Sequence, residues 1–294
     1  MASNKPIDFI GIGTYKSGTG TIHRFLEAHP DICFSIPKEV RWFNEFEYAS
    51  TMDLTKNRSR NKTIEWYHNH WKHRKQDQLL GEFSPVYFAD PSAPEKIHHY
   101  NPKIKLLVSF RDPVSRIHSD FLMKSIASNK EHLNFSEAIR THHRYIDNSK
   151  YFTHLQRYLK LFQKEQIHIV FTEDFKNDLK NEITDLLNFL EADNSFFPKN
   201  LAKKNNPAKK YKSPIWRKIH QTVRALSSHG GSPIIHQMRK YNLHLVFEKY
   251  TTQPIAKEAI PFEDRAYILS NIKEDILGLQ DLVKRDLSHW LGHE

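Results

Sequence analysis

The chain has 294 residues, of which 38% are hydrophobic and 12% aromatic, and a formal net charge of +10 at pH 7. The aromatic content excludes a disordered chain, and no apolar run nears the roughly 18 residues of a membrane-crossing helix. The basic balance, with an isoelectric point near 9.4, favours anionic partners but does not choose among nucleotide, nucleic acid, membrane surface and acidic polymer.

The N-terminal residues Met1–Pro6 carry no apolar stretch, and Cys33 is the single cysteine, so the expectation is a cytoplasmic protein without an internal disulfide. Ile7 to Gly13 (IDFIGIG) reads as a buried strand, followed by a turn-rich loop, Thr14 to Gly20. Thr21 to Ala28 carries Ile22, Phe25 and Leu26 at helical spacing. Leu79 to Phe83 is a second short strand. Ile104 to Phe110 (IKLLVSF) is apolar throughout, as a central strand of a parallel sheet is. A helix should start near Val114, and Phe135 to Ile146 and Tyr151 to Phe162 read as helices. Ile167 to Phe171 is another buried strand, followed by a helix over Phe175 to Leu190. Periodicity fails from Glu191 to Ser213, a stretch rich in Asn, Lys and Pro. It reads as a long, mobile basic loop. Helical patterns return over Ser213 to Leu226 and Ile260 to Leu291. Strands alternating with helices imply an α/β fold, a central parallel sheet flanked by helices, in one domain spanning residues 1–294. The 19 histidines include the adjacent pairs His98-His99 and His142-His143. None has the spacing of a metal-ligand cluster, and no metal site is expected.

Two segments carry chemistry. Gly13-Thr14-Tyr15-Lys16-Ser17-Gly18-Thr19-Gly20-Thr21 lies between strand and helix, where backbone N–H groups surround a phosphate. Gly13 and Gly18 have the spacing of a phosphate loop, but Thr19 follows Gly18 where a triphosphatase needs lysine. The lysine lies inside the loop, at Lys16, and suits a shorter ligand. Gly18 and Gly20 permit close backbone approach, and Thr19 and Thr21 add hydroxyls at the helix start. The alternative is an ordinary strand-to-helix turn with a surface lysine.

The second segment, Arg111-Asp112-Pro113-Val114-Ser115-Arg116-Ile117-His118-Ser119, follows the third strand. Pro113 suits a first helical turn, and Arg111 falls at the carboxyl end of a central strand, where open α/β sheets bind ligands. Ser119 is about two turns further on. A guanidinium fork with a hydroxyl suits a second phosphate. The alternative is an Arg111–Asp112 surface pair.

Together, Lys16–Thr21 resembles the 5′-phosphosulfate loop of the sulfotransferases that use PAPS (3′-phosphoadenosine 5′-phosphosulfate), and Arg111-Asp112-Pro113-x-x-Arg116-x-x-Ser119 resembles their 3′-phosphate motif. His29-Pro30-Asp31, Lys38-Glu39-Val40-Arg41-Trp42-Phe43 and Gly81-Glu82-Phe83-Ser84-Pro85-Val86-Tyr87-Phe88 resemble the heparan sulfate and other carbohydrate sulfotransferases and their bacterial relatives. Glu173-Asp174-Phe175 and Arg285-Asp286-Leu287-Ser288-His289-Trp290-Leu291 resemble the bacterial members.

The resemblance implies a P-loop-like fold and transfer of a sulfuryl group from PAPS to an acceptor hydroxyl, on a carbohydrate, with release of PAP (3′,5′-adenosine bisphosphate) and no metal. It implies catalytic roles for Glu39 as base and Lys16 at the leaving oxygen. It implies that Lys16, Ser17, Gly18, Thr19, Gly20 and Thr21 hold the 5′ end of the donor, and Arg111 and Ser119 its 3′-phosphate. Glu39 has a second reading, an ion pair with Lys38 or Arg41 at a helix start, and His23 is a rival base. Phe83 stands where the heparan-type enzymes have lysine, which weakens the case for a heparan-like acceptor. The basic run 203–212, with Lys209 and Lys210, reads either as a lid over the donor or as a solvated loop. Sulfation of a small molecule or lipid remains an alternative. So does a nucleic-acid binder, although no nucleic-acid motif is present.

Overall fold

The short apolar runs form one five-stranded parallel sheet in the computed structural model, which describes residues 5–45, 62–127, 131–198, 209–213, 215–216, 218–219, 250–254 and 259–292. The strands are β1 (Phe9–Gly13), β2 (Ile32–Phe34), β3 (Leu79–Phe83), β4 (Lys105–Phe110) and β5 (Ile167–Phe171), in the order β2-β3-β1-β4-β5. The chain leaves β1 for one side of the sheet, returns through β3 and crosses to β4 on the other. The carboxyl ends of β3, β1 and β4 therefore frame the point where the winding reverses, which is the ligand edge of such sheets.

Helices cover both faces. Between β1 and β4 lie α1 (Thr19–Glu27), α2 (Ile64–His68) and α3 (Ala93–Tyr100). After β4 come α4 (Pro113–Leu122), α5 (Phe135–Thr141), α6 (Arg144–Asp147) and α7 (Tyr151–Leu159), and after β5 come α8 (Thr172–Asn177), α9 (Leu179–Leu190) and α10 (Phe262–Val283). Alternate residues of a strand face opposite sides. Ile10, Ile12, Leu106, Val108 and Phe110 thus join the larger core with Tyr67, Tyr87, Tyr151 and Ile272. Phe9, Phe83, Leu107 and Val170 face the smaller one, with Phe25 of α1 and Leu186 of α9.

The described residues divide into two compact units. One comprises 1–121, 133–204 and 260–294 and holds this sheet. The other comprises 122–132 and 205–259. In the second unit, β6 (Lys209–Tyr211) pairs antiparallel with β7 (Thr252–Pro254). Part of the expected loop is therefore strand, because its backbone groups find a partner far along the chain. Residues 199–208 and most of Ser213 to Leu226 lie outside the described residues.

Three expected helices are interrupted. His142, at φ −105° and ψ 86°, separates α5 from α6. Asp178 leaves helical geometry and accepts a hydrogen bond from Asn181 N, which starts α9 anew. Lys284 takes a left-handed conformation and ends α10. At Asp178 a polar side chain that bonds nearby backbone breaks a helix that the apolar pattern alone continues.

Candidate active site

The loop between β1 and α1 is fastened to β4. Thr14 donates from its backbone N and its Oγ1 to Ser109 O, at 3.0 and 3.1 Å. Ser109 Oγ donates to Gly13 O at 3.2 Å, and the Thr14 and Ser17 hydroxyls lie 2.6 Å apart. Gly18, the N-cap of α1, has φ 78°, a left-handed conformation that favours glycine. No side chain caps this helix and no acid lies in its first turn, so its N-terminal N–H groups and dipole favour an anion. Ser17 and Thr19 are buried, Lys16 and Thr21 half-buried, and Gly20 exposed. Thr21 Oγ1 accepts from Arg24 NH2 at 3.3 Å.

Arg111 follows β4, and its guanidinium NH1 donates to Lys16 O at 3.2 Å. This bond joins the two predicted anion-binding segments. Tyr151 OH donates to Arg111 O at 3.0 Å, which fixes the residue from behind. The alternative Arg111–Asp112 pair does not form. Asp112 Oδ1 instead accepts from Ser115 N, and Asp112 N donates to Glu173 Oε1. Ser119 is half-buried on α4. Arg116 is fully buried and structural: it donates to Ser149 Oγ at 2.7 Å and Tyr145 O at 2.7 Å, and pairs with Asp120.

Glu39 is half-buried in the irregular segment after β2, not at a helix start. Arg41 Nε and NH2 both donate to its Oε2, at 3.1 and 2.5 Å. The ion pair with Arg41 therefore exists, and among the described residues Glu39 Oε1 has no partner. Neighbouring Lys38 places its ammonium 5.4 Å from the centre of the Phe83 ring. Burial lowers the Lys38 pKa, although Glu39 and Glu27 oppose the shift. Phe83 is fully buried, and a Cβ on Gly11, its register partner, would fall 2.4 Å from its ring.

His23 of α1 is also buried. Burial, then the charges of Lys38 and Arg24, lower its pKa to about 3, and among the described residues its Nε2 has no hydrogen-bond partner. Lys209 and Lys210 lie in β6, in the second unit.

Sequence reasoning missed Glu82, Tyr67 and Tyr87 as parts of this edge. A glutamate inside a strand whose other residues are apolar or glycine, Leu79-Leu80-Gly81-Glu82-Phe83, was the available signal, because buried carboxylates need partners.

The Sulfotransferase domain family model matches residues 6–230. The chain is 32% identical over 171 residues to heparan sulfate glucosamine 3-O-sulfotransferase 5 of Mus musculus, a match spanning 54% of this chain and 46% of that protein. It is 32% identical over 157 residues to the membrane-associated sulfotransferase kil1 of Dictyostelium discoideum, spanning 47% of this chain and 31% of that one. The chain thus spans less than half the length of these relatives. A solved sulfotransferase from Alicyclobacillus acidocaldarius aligns over 97% of this chain and 99% of its own, with a TM-score of 0.70 at 19% identity. That likeness shows a shared fold. With a family match over most of its length, the chain belongs to the sulfotransferase domain family.

Proposed function

We propose that the enzyme transfers the sulfuryl group of PAPS to a carbohydrate hydroxyl and releases PAP. The observation that carries this reading is the Arg111 to Lys16 O hydrogen bond, which ties a cationic fork to an uncapped helix start. A donor with anionic groups at both ends of one nucleoside matches that pairing, and a triphosphate does not. Lys16 to Thr21 receive the 5′-phosphosulfate, and Arg111 with the Ser119 hydroxyl receives the 3′-phosphate.

The acceptor oxygen attacks sulfur in line with the bridging oxygen. A new S–O bond forms as the bond from sulfur to the 5′-phosphate oxygen breaks. That oxygen leaves with the electron pair, and the Lys16 ammonium stabilises the charge on it. Glu39 Oε1, free of the Arg41 fork, takes the acceptor proton. His23 is the weaker base, because an imidazole with pKa about 3 binds a proton poorly at neutral pH. The carbohydrate acceptor rests on the saccharide-sulfating relatives, which are only partly matched.

A screen of saccharide, lipid and small phenolic acceptors with radiolabelled PAPS tests the reading. Label should pass to a saccharide, and Glu39→Gln should reduce turnover by about a hundredfold or more. Label passing only to a lipid or phenol would overturn the acceptor class, and full turnover in Glu39→Gln would overturn the base.

A further inference from the structure

Glu82 is fully buried at the end of β3, and burial raises its pKa against four hydrogen bonds. Tyr67 OH donates to Oε2 at 2.5 Å, while Ser84 Oγ and Tyr87 OH donate to Oε1 at 2.5 and 2.7 Å. Arg41 N completes the set, at 3.3 Å to Glu82 Oε1 and 3.1 Å to Ser84 Oγ. Every partner is a donor, and an ionised carboxylate only accepts.

The network extends along the segment that carries Glu39. Besides donating to Glu82, the Tyr87 hydroxyl accepts from Trp42 N at 2.8 Å and Phe43 N at 3.4 Å. Three successive amides, Arg41 to Phe43, are thereby tied to Glu82 directly or through Tyr87 and Ser84. At the other end of the segment, Ser35 Oγ donates to Lys38 O at 3.1 Å. The segment belongs to no helix or strand, so these bonds replace a backbone ladder.

Arg41 has φ 57°, a left-handed conformation that is unfavourable for a non-glycine residue. It persists where surrounding bonds over-determine it. With the backbone so turned, the Arg41 side chain folds back two residues and grips Glu39 Oε2 alone.

We propose that Glu82 is a positioning residue for the transfer reaction: its buried carboxylate holds the Arg41–Phe43 backbone so that Arg41 fixes Glu39 with one oxygen engaged and the other open to the acceptor. This rests on the reading of Glu39 as base. The route is two-step, from Glu82 to the Arg41 backbone and from the Arg41 guanidinium to Glu39. Glu82 itself touches no reactant.

A double-mutant cycle in single-turnover transfer, combined with hydrogen exchange, tests it. Glu82→Gln should lower the transfer rate by about tenfold to a hundredfold, the size of a misplaced catalytic group, with donor KM unchanged. In a Glu39→Gln background the same change should cost nothing further, because coupled residues are non-additive. Exchange at the Arg41 and Trp42 amides should quicken by about tenfold in Glu82→Gln, because glutamine lacks the carboxylate charge and sets an NH2 donor against a network made of donors. Tyr87→Phe and Ser84→Ala, which each remove one hydroxyl, should move rate and exchange the same way if Glu82→Gln does not fold. An unchanged transfer rate in a folded Glu82→Gln or Tyr87→Phe protein overturns the proposal. So does an equal further loss in the Glu39→Gln background. Full turnover in Glu39→Gln alone overturns the base reading and with it the catalytic half of the proposal, while the amide exchange still decides the anchoring.

Discussion

Burial keeps the His23 imidazole neutral down to about pH 3, with Lys38 and Arg24 adding repulsion. The unfolded chain binds that proton near pH 6.5. Between these values the unfolded state holds more protons, so stability falls as pH falls through that window. His154, lowered to about 4 by burial, acts in the same direction. His23→Leu should therefore flatten the acid side of the stability curve, by an amount on the order of 3 kcal/mol at pH 4. Urea titrations from pH 7 to pH 4 measure this, and an unchanged slope would contradict it. Phe83 invites a different experiment, since a lysine there would match the heparan-type enzymes. The side chain is fully buried against Gly11, with the Lys38 ammonium over its ring. Phe83→Lys should destabilise by about 3 kcal/mol or more, because a second cation would be buried beside the first. A thermal melt of the variant reads this directly.

At the scale of elements, α7 shows how distant chain supplies a cap. The side chain of its N-cap, Lys150, bonds Asp147 and does not cap the helix. Instead Asp275 of α10 accepts from Phe152 N and Thr153 N, each at 2.9 Å. Those are orphan donors of a first turn, so Asp275→Ala should cost about 1 kcal/mol in urea denaturation. No local pattern announces such a cap, and the same reason separates what the sequence reveals from what it hides. β3 and β5 have the bounds their apolar runs predict, and β1 and β4 differ only at the first residues. Short, mainly apolar runs with no helical period mark such strands. β2, three residues long at the sheet edge, is too short to carry a period. The loop between β1 and α1 was legible as a loop because glycine, lysine and hydroxyl residues cluster between an apolar run and a helical pattern. The Glu82 network was not, because Tyr67, Ser84, Tyr87 and Arg41 meet only in three dimensions.

At the scale of the molecule, the sheet order delivers the site. β1 lies between β3 and β4, so the loop after β1, the Glu39 segment tied to Glu82 at the end of β3, and Arg111 after β4 share one edge. The Thr14–Ser109 bonds and the Arg111–Lys16 bond close the seam between β1 and β4. The central claim is that this edge recognises both phosphates of PAP, with Arg111 at the 3′ end. Calorimetry of PAP and 5′-AMP on the wild-type protein and on Arg111→Ala tests it most directly. The wild type should prefer PAP by tenfold or more, as a charge-assisted hydrogen-bonded contact of about 1.5–3 kcal/mol requires, and Arg111→Ala should lose most of that preference. Equal affinity for the two nucleotides in the wild type, or an undiminished preference in the variant, would contradict the account.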